Sequence, residues 1–204
     1  VRLDLLKSTY RLDRDDFRNL YDRTTDTARR LDVHAPVTLY QSQDVGGSSA
    51  ALCFLPDEIH IVLIGRIREL LTADELQAII AHELTHHLLW TIDSGDFMMV
   101  DRILNVIVND ERAENSYAES ARLYQLYSEI YADRGSLQAV GEPEIAVSAL
   151  LKTVTGTPDI GPRAYLKQAA EIFSQEKVET AELTHPEVYI RARALALWSE
   201  AGNE

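Results

Sequence analysis

The chain has 204 residues, of which 46% are hydrophobic, and a formal net charge of −13 at pH 7. This composition suffices for a packed core in one domain or two small ones, and it is too apolar for a disordered chain. The acidic balance argues against nucleic acid as a partner, because binding phosphates requires clustered Lys and Arg. No apolar run approaches the ~20 residues of a membrane helix. We therefore expect no membrane segment within this sequence, although an anchor outside it would be compatible with these residues.

The first part of the sequence changes from a helical to an extended pattern. Apolar residues at helical spacing predict a helix over about 8–31, which we assign to an N-terminal unit of residues 1–34. Three β-rich runs then predict a small antiparallel or mixed sheet of three or four strands within 35–65. These runs are 37–42, 50–55 and 58–64.

The remainder of the sequence is typical of helices. Thr72 and Glu75 match a capping box, in which each side chain binds the backbone N–H of the other residue, and they open a predicted helix over 72–92. Gly135 is interpreted as the end of a later helix. The further predicted helices are 97–108, 111–135, 143–155, 163–178 and 184–204. We therefore expect a single α+β domain over 1–204, mostly helical with one small sheet.

The sequence 81-AHELTHHLLW-90 lies in the second half of the predicted 72–92 helix. Residues four apart lie on one face of a helix, about 6 Å apart along the axis. His82 and His86 can therefore bind one zinc ion through their ring nitrogens. Glu83 lies about 100° around the helix from His82. Its carboxylate is thus beside the metal, where a general base for a metal-activated water is needed.

A catalytic zinc site needs a third protein ligand and one open position. In 128-SEIYADRGS-136, Glu129 and Asp133 are four residues apart on the predicted 111–135 helix. We predict Glu129 as the third ligand and Asp133 as the hydrogen-bond partner of a ligand histidine, His82. Three other carboxylates are rival ligands on physical grounds: Glu111, Glu114 and Glu119. The Asp partner and the intervening Ala132 favour Glu129, and a solvated helix face is the better interpretation of each rival.

The two motifs together, His82-Glu83-x-x-His86 and Glu129-x-x-Ala132-Asp133, resemble the gluzincin peptidases of the HtpX and CAAX prenyl protease family. In that family the third ligand is the glutamate of the second motif. The stretch 185-HPEVYIRARAL-195 is similar to the family's late His-Pro, which is followed by an arginine six residues after the histidine. The resemblance covers about residues 35–200. It implies that His185 and Arg191 lie near the site, where one of them donates to the tetrahedral oxyanion.

Three positions depart from the family pattern. Asp57 and Glu58 replace the glycines of a Leu-Pro-Gly-Gly turn between two strands, and Thr85 replaces a glycine found in many relatives. Relatives often carry transmembrane helices or a repeat domain. This sequence resembles instead the small soluble core of the family, which we expect in the cytoplasm or at the cytoplasmic face of a membrane.

The resemblance implies a zinc endopeptidase with one catalytic Zn²⁺ and an extended or unfolded polypeptide as substrate. Glu83 would take the proton of the attacking water and return it to the leaving amine. In some relatives the late histidine approaches the metal, which implies a self-inhibited state with His185 over the open position as an alternative. The strand at 58–64 is a candidate sheet edge for docking substrate, with His60 and Ile61 as substrate-binding candidates. An ordinary core strand is an equally good interpretation.

Two other function classes are consistent with parts of the sequence. A metal-binding regulatory module with the same fold would keep the ligands, but it would not explain the intact Glu83, which has no structural duty. A helical interaction protein with packed histidines would leave four residues unexplained: Glu129, Asp133, His185 and Arg191.

Overall fold

The fold is α+β and mostly helical, with one four-stranded sheet, as predicted. The computed structural model describes residues 2–44, 46–55, 57–109, 115–175 and 187–202. The elements in these ranges are α1 Arg2–Ser8, β1 Thr9–Arg11, α2 Arg18–Arg30, β2 Val37–Ser42, β3 Ser48–Phe54, β4 Ile59–Gly65, α3 Ile67–Leu70, α4 Ala73–Thr91, α5 Asp96–Val108, α6 Asn115–Val140, α7 Pro143–Thr155, α8 Pro162–Gln175 and α9 Val188–Ala201. A 3-10 turn, Ile92–Gly95, joins α4 to α5.

The sheet is mixed, with strand order β1-β2-β4-β3. β2 and β4 are parallel, whereas β1 and β3 are antiparallel to their neighbours. β4 is therefore an interior strand with partners on both sides. The prediction that 58–64 forms a substrate-docking edge is wrong, since the edge strand on that side is β3. A nearly continuous apolar run such as Ile59–Ile64 is typical of an interior strand covered on both faces.

The two side chains predicted to contact substrate are buried in this strand. Ile61 is 0% exposed and packs in the main core, between the sheet and the helices. His60, 1% exposed, points to the opposite face, where its Nδ1 lies 3.2 Å from the Tyr40 hydroxyl. Leu5 of α1 belongs to the small apolar cluster on that face. His60 and Ile61 are thus placed in the interior of the fold and not in a cleft, because both faces of β4 are covered.

The predicted helix over 8–31 is shorter in the structure and begins later. Thr9–Arg11 forms β1, which pairs with β2, and α2 begins at Arg18. Leu12, which fits the helical pattern, instead fills the main core at 1% exposure. Backbone pairing with a distant strand overrides the amphipathic pattern here. The last helix begins at Val188, and residues 176–186 lie outside the described residues.

The capping box at the start of α4 is confirmed. The Thr72 N–H donates to Glu75 Oε2 at 2.7 Å, and the Glu75 N–H donates to Thr72 Oγ1 at 3.3 Å. The buried Glu75 carboxylate also accepts from Ser148 Oγ at 2.6 Å and from Lys152 Nζ at 2.9 Å. Burial alone would raise the pKa of Glu75, but these hydrogen bonds hold it below its ordinary value. The first turn of α4 is therefore fixed both locally and to α7.

Gly135 lies inside α6, which continues to Val140, so its interpretation as a helix end is wrong. A Cβ built at Gly135 would lie 1.8 Å from Thr85 Oγ1 and 2.8 Å from Thr85 Cβ. The glycine therefore allows α4 and α6 to approach closely. Thr85, where many relatives carry glycine, is accommodated because the residue facing it on α6 is itself a glycine.

We expect Gly135→Ala to lower the free energy of unfolding by about 1–3 kcal/mol, because the added methyl overpacks the α4–α6 contact. Adding Thr85→Gly in the same chain should recover part of the loss by removing the clashing side chain. Urea denaturation measures both changes. Gly161→Ala is the control, since its Cβ would meet its nearest atom at an ordinary 3.7 Å. Equal stability of the Gly135 and Gly161 variants would contradict the close approach.

Candidate metal centre

α4 and α6 run antiparallel and bring the two sequence motifs together. Ser136 Oγ donates to the Ala78 carbonyl at 2.7 Å, one turn before His82 on α4. His82 in turn faces Asp133 on α6. Because residues four apart share one face of a helix, both histidines of the first motif, on α4, face Glu129 of α6. α9 closes the third side and contributes Arg191.

Three potential metal donors converge at this point. His82 Nε2 and His86 Nε2 are 3.0 Å apart. The Glu129 carboxylate oxygens lie 3.5 Å from His82 Nε2 and 3.4 Å from His86 Nε2. Tetrahedral zinc with ligands at 2.0–2.1 Å requires donor atoms about 3.3 Å apart. The spacing and the chemistry of this donor set therefore fit one tetrahedral metal ion.

The outer nitrogen of His82 is held by a buried carboxylate. His82 Nδ1 lies 3.0 Å from Asp133 Oδ1, as predicted for a ligand histidine and its partner. With the proton on Nδ1, the lone pair of Nε2 faces the other donors. Burial alone would lower the pKa of His82, but Asp133 and Glu129 raise it to about 10. Because a metal needs the deprotonated Nε2, binding at this site would displace a proton.

Arg191 contacts both carboxylates of this centre and is only 7% exposed. Its Nε and Nη2 donate to Asp133 at 2.6 and 2.7 Å, and its Nη1 lies 3.0 Å from Glu129 Oε2. Burial works against the charge of each group. The ion pair nevertheless raises the pKa of Arg191 and lowers that of Asp133. Hydrogen bonds from the two histidines, more than the Arg191 charge, lower the pKa of Glu129. Each nitrogen of Arg191 contacts a carboxylate, and its side chain lines the cavity over the donor atoms. Its role as an oxyanion donor stays a prediction. His185 lies outside the described residues.

A cavity of about 460 Å³ opens over the donor atoms. Glu83, 8% exposed, lines it together with the histidines and Glu129. One wall is the edge strand β3, through Ser48–Ala50 and Leu52, and another is α7, through Ala146, Ala149 and Leu150. Trp90 and Gln125 also line the cavity, and the Trp90 ring stacks on His86 with 5.9 Å between centroids. The arrangement places a carboxylate base and a metal-type donor set in one accessible cleft.

Several cavity residues were missed by the sequence analysis. Gln125 had a usable signal, because it precedes Glu129 by four residues on the same helix and so shares its face. Leu52 and Ala149 had no such signal, because their contact with the cavity depends on how β3 and α7 pack against α4.

His87, the third histidine of α4, packs against Phe54, with its Nε2 3.3 Å from the Leu55 carbonyl.

The rival carboxylates fall outside this centre or outside the described residues. Glu119 is exposed and pairs with Arg122 on its own helix, whereas 111–114 lie outside the described residues. In the described part of the chain, no helix is both long and apolar enough to cross a membrane.

Comparisons with known proteins find one family and one curated relative. The sequence model of peptidase family M48 matches residues 15–199. A curated relative from Arabidopsis thaliana, "Plastoglobule-localized metallopeptidase 48, chloroplastic", is 27% identical over 201 residues, covering 90% of this chain and 57% of the relative. The chain thus spans little more than half the length of that relative. No solved structure matches this chain. The family match over most of the sequence shows that the chain belongs to peptidase family M48.

Proposed function

We propose that this protein is a zinc-dependent endopeptidase with His82, His86 and Glu129 as ligands and Glu83 as general base. One observation carries the proposal: three donor side chains, with donor atoms 3.0–3.5 Å apart, line a single cavity together with Glu83. Two histidines and one glutamate, with a position left open, form a known ligand set of catalytic zinc in peptidases. Membership of family M48 supports the same reaction class.

Zinc, when bound, supplies a Lewis acid that polarises the scissile carbonyl and makes a water molecule more acidic. The Glu83 carboxylate accepts a proton from that water as its oxygen adds to the carbonyl carbon. When the C–N bond breaks, Glu83 returns the proton to the leaving amine, so the products are a carboxylate and an amine. Asp133 keeps the His82 ring in place through Nδ1, and Arg191 balances the charges of Asp133 and Glu129.

An extended polypeptide is the substrate form that the cleft supports. β3 pairs with β4 on one side, and within the described ranges no strand pairs with its other side. Residues 48–50 and 52 of this strand line the cavity beside the donors. A peptide can add to such an edge through main-chain hydrogen bonds, which requires an unfolded or extended segment and tolerates many sequences. The docking strand proposed here is therefore β3, in place of 58–64.

The order and spacing of the two motifs support a position near the HtpX and CAAX prenyl protease branch of the family. The cytoplasm, or the cytoplasmic face of a membrane, stays a prediction for this chain. The Arabidopsis relative is, by its name, a chloroplast plastoglobule protein, and its location belongs to that protein.

We expect Glu83→Gln to lower casein cleavage by about 10²–10⁴-fold, the contribution of a general base, while zinc content stays at the wild-type level. Gln keeps the size of the side chain but cannot accept the proton. Activity on casein and zinc per chain should be measured on the same preparations. Glu119→Gln is the matched control on an exposed carboxylate. Full zinc without cleavage by the wild type would instead support a metal-binding regulatory module.

A further inference from the structure

Gln125 occupies a distinctive place in the cleft. It lines the cavity together with His86, Trp90 and Glu129, and it lies one helical turn before Glu129 on α6. Side chains on a helix tilt toward its N-terminus, so Gln125 and Glu129 lean in the same direction and lie side by side on one face of α6. Residues four apart on a helix are separated by about 6 Å along the axis. The Gln125 amide is therefore within reach of a group bound beside Glu129.

The other polar donors around the metal-type donor set are already engaged. Arg191 binds Asp133 and Glu129 through all three nitrogens. Ser136 donates to the Ala78 carbonyl, and the Trp90 side chain interacts with the Tyr124 hydroxyl.

Gln125 differs from these groups, because within the described part of the chain its amide has no hydrogen-bond partner. The remaining serines of the cavity, Ser48 and Ser49, lie at the opposite end of β3, next to Gly65 and Ile64. At the His86 end, Gln125 is thus the uncommitted donor among the described residues.

Hydrolysis of a peptide bond develops negative charge on the scissile carbonyl oxygen. A neutral amide N–H aimed at that oxygen stabilises the transition state more than the substrate, which is the condition for raising kcat. A neutral donor also leaves the charge balance of the ligand set unchanged. We propose that Gln125 is a catalytic residue whose side-chain amide donates to the scissile carbonyl oxygen as this charge develops. The inference rests on the proposed peptidase function and assigns Gln125 the role that the sequence analysis gave to His185 or Arg191.

The test compares wild type, Gln125→Met and Gln125→Asn on a fluorogenic peptide taken from a casein cleavage site. Met keeps the length and helix propensity of Gln but has no N–H donor. We expect Gln125→Met to lower kcat by about 10²-fold, the contribution of one oxyanion donor, with KM within about twofold and zinc content unchanged. Gln125→Asn, which keeps a shorter amide, should retain more activity than Gln125→Met.

A second measurement does not depend on turnover. A phosphonamidate peptide of the same sequence carries a tetrahedral anion in place of the scissile carbonyl. Its affinity should fall in Gln125→Met by about the same factor as kcat/KM, since both report transition-state binding. Gln138→Met is the matched control, because Gln138 is exposed on the same helix and reaches the Arg30 carbonyl.

The outcomes separate this inference from the peptidase proposal. An unchanged kcat in Gln125→Met, or a change confined to KM, would overturn the oxyanion role and leave the peptidase function standing. Loss of zinc from Gln125→Met would also overturn it, since the residue would then support the ligands. If the wild type cleaves nothing although it binds zinc, the peptidase function falls, and the role of Gln125 falls with it.

Discussion

Glu129→Ala is expected to abolish stoichiometric zinc binding and, with it, peptide cleavage. Glu129 provides the only carboxylate in a cluster of three potential donors, with its oxygens 3.4–3.5 Å from the two histidine nitrogens. Changing a residue that only supports a ligand commonly costs 10–100-fold in metal affinity, so loss of a ligand itself should exceed about 100-fold. Zinc per chain, measured after equilibration in buffers of defined free zinc, gives the affinity directly.

The control for this change is Glu119→Ala, on the same helix two to three turns earlier. Glu119 is exposed and pairs only with Arg122 among the described residues, so its loss should leave zinc binding unchanged. Full zinc in Glu129→Ala would overturn the ligand assignment. The rivals Glu111 and Glu114, which lie outside the described residues, would then be the next carboxylates to replace.

Arg191→Met should lower the free energy of unfolding of the zinc-free protein by about 3–5 kcal/mol, the usual cost of removing one partner from a buried ion pair. Asp133 and Glu129, both buried, would lose the cation that each contacts. Added zinc should recover part of this loss, because it binds only the folded state and neutralises Glu129. Urea denaturation with a chelator and with excess zinc measures the two values.

Arg193→Met provides the comparison on the same helix. Its guanidinium is 3.8 Å from Glu200, and the Glu200 side chain is 66% exposed, so we expect a change below about 1 kcal/mol. Similar small effects of both substitutions would contradict the buried network. A lower kcat in Arg191→Met with unchanged stability and zinc would instead support the oxyanion role first inferred from the sequence resemblance.

The sequence by itself was most informative where function depends on local helix geometry. The capping box at Thr72 and Glu75 determines where α4 begins, and the spacing of four residues then puts His82 and His86 on one face. The same spacing on α6 aligns Glu129 with Asp133. These relations hold within one helix, so they can be read without knowing the rest of the fold.

Only the tertiary structure decided which strand forms an edge and which charged groups remain available to a substrate. β4 is interior because β2 and β3 pair on either side of it, and its apolar run indicates that both faces are covered without specifying which strands pair with it. Arg191 and Gln125 both line the cavity, but each nitrogen of Arg191 contacts a buried carboxylate, whereas the Gln125 amide has no partner among the described residues. The role of Gly135 in the close approach of α4 and α6 likewise became clear only from its contact with Thr85. In each case the deciding contact joins residues far apart in the chain, and local propensity and periodicity carry no information about such contacts.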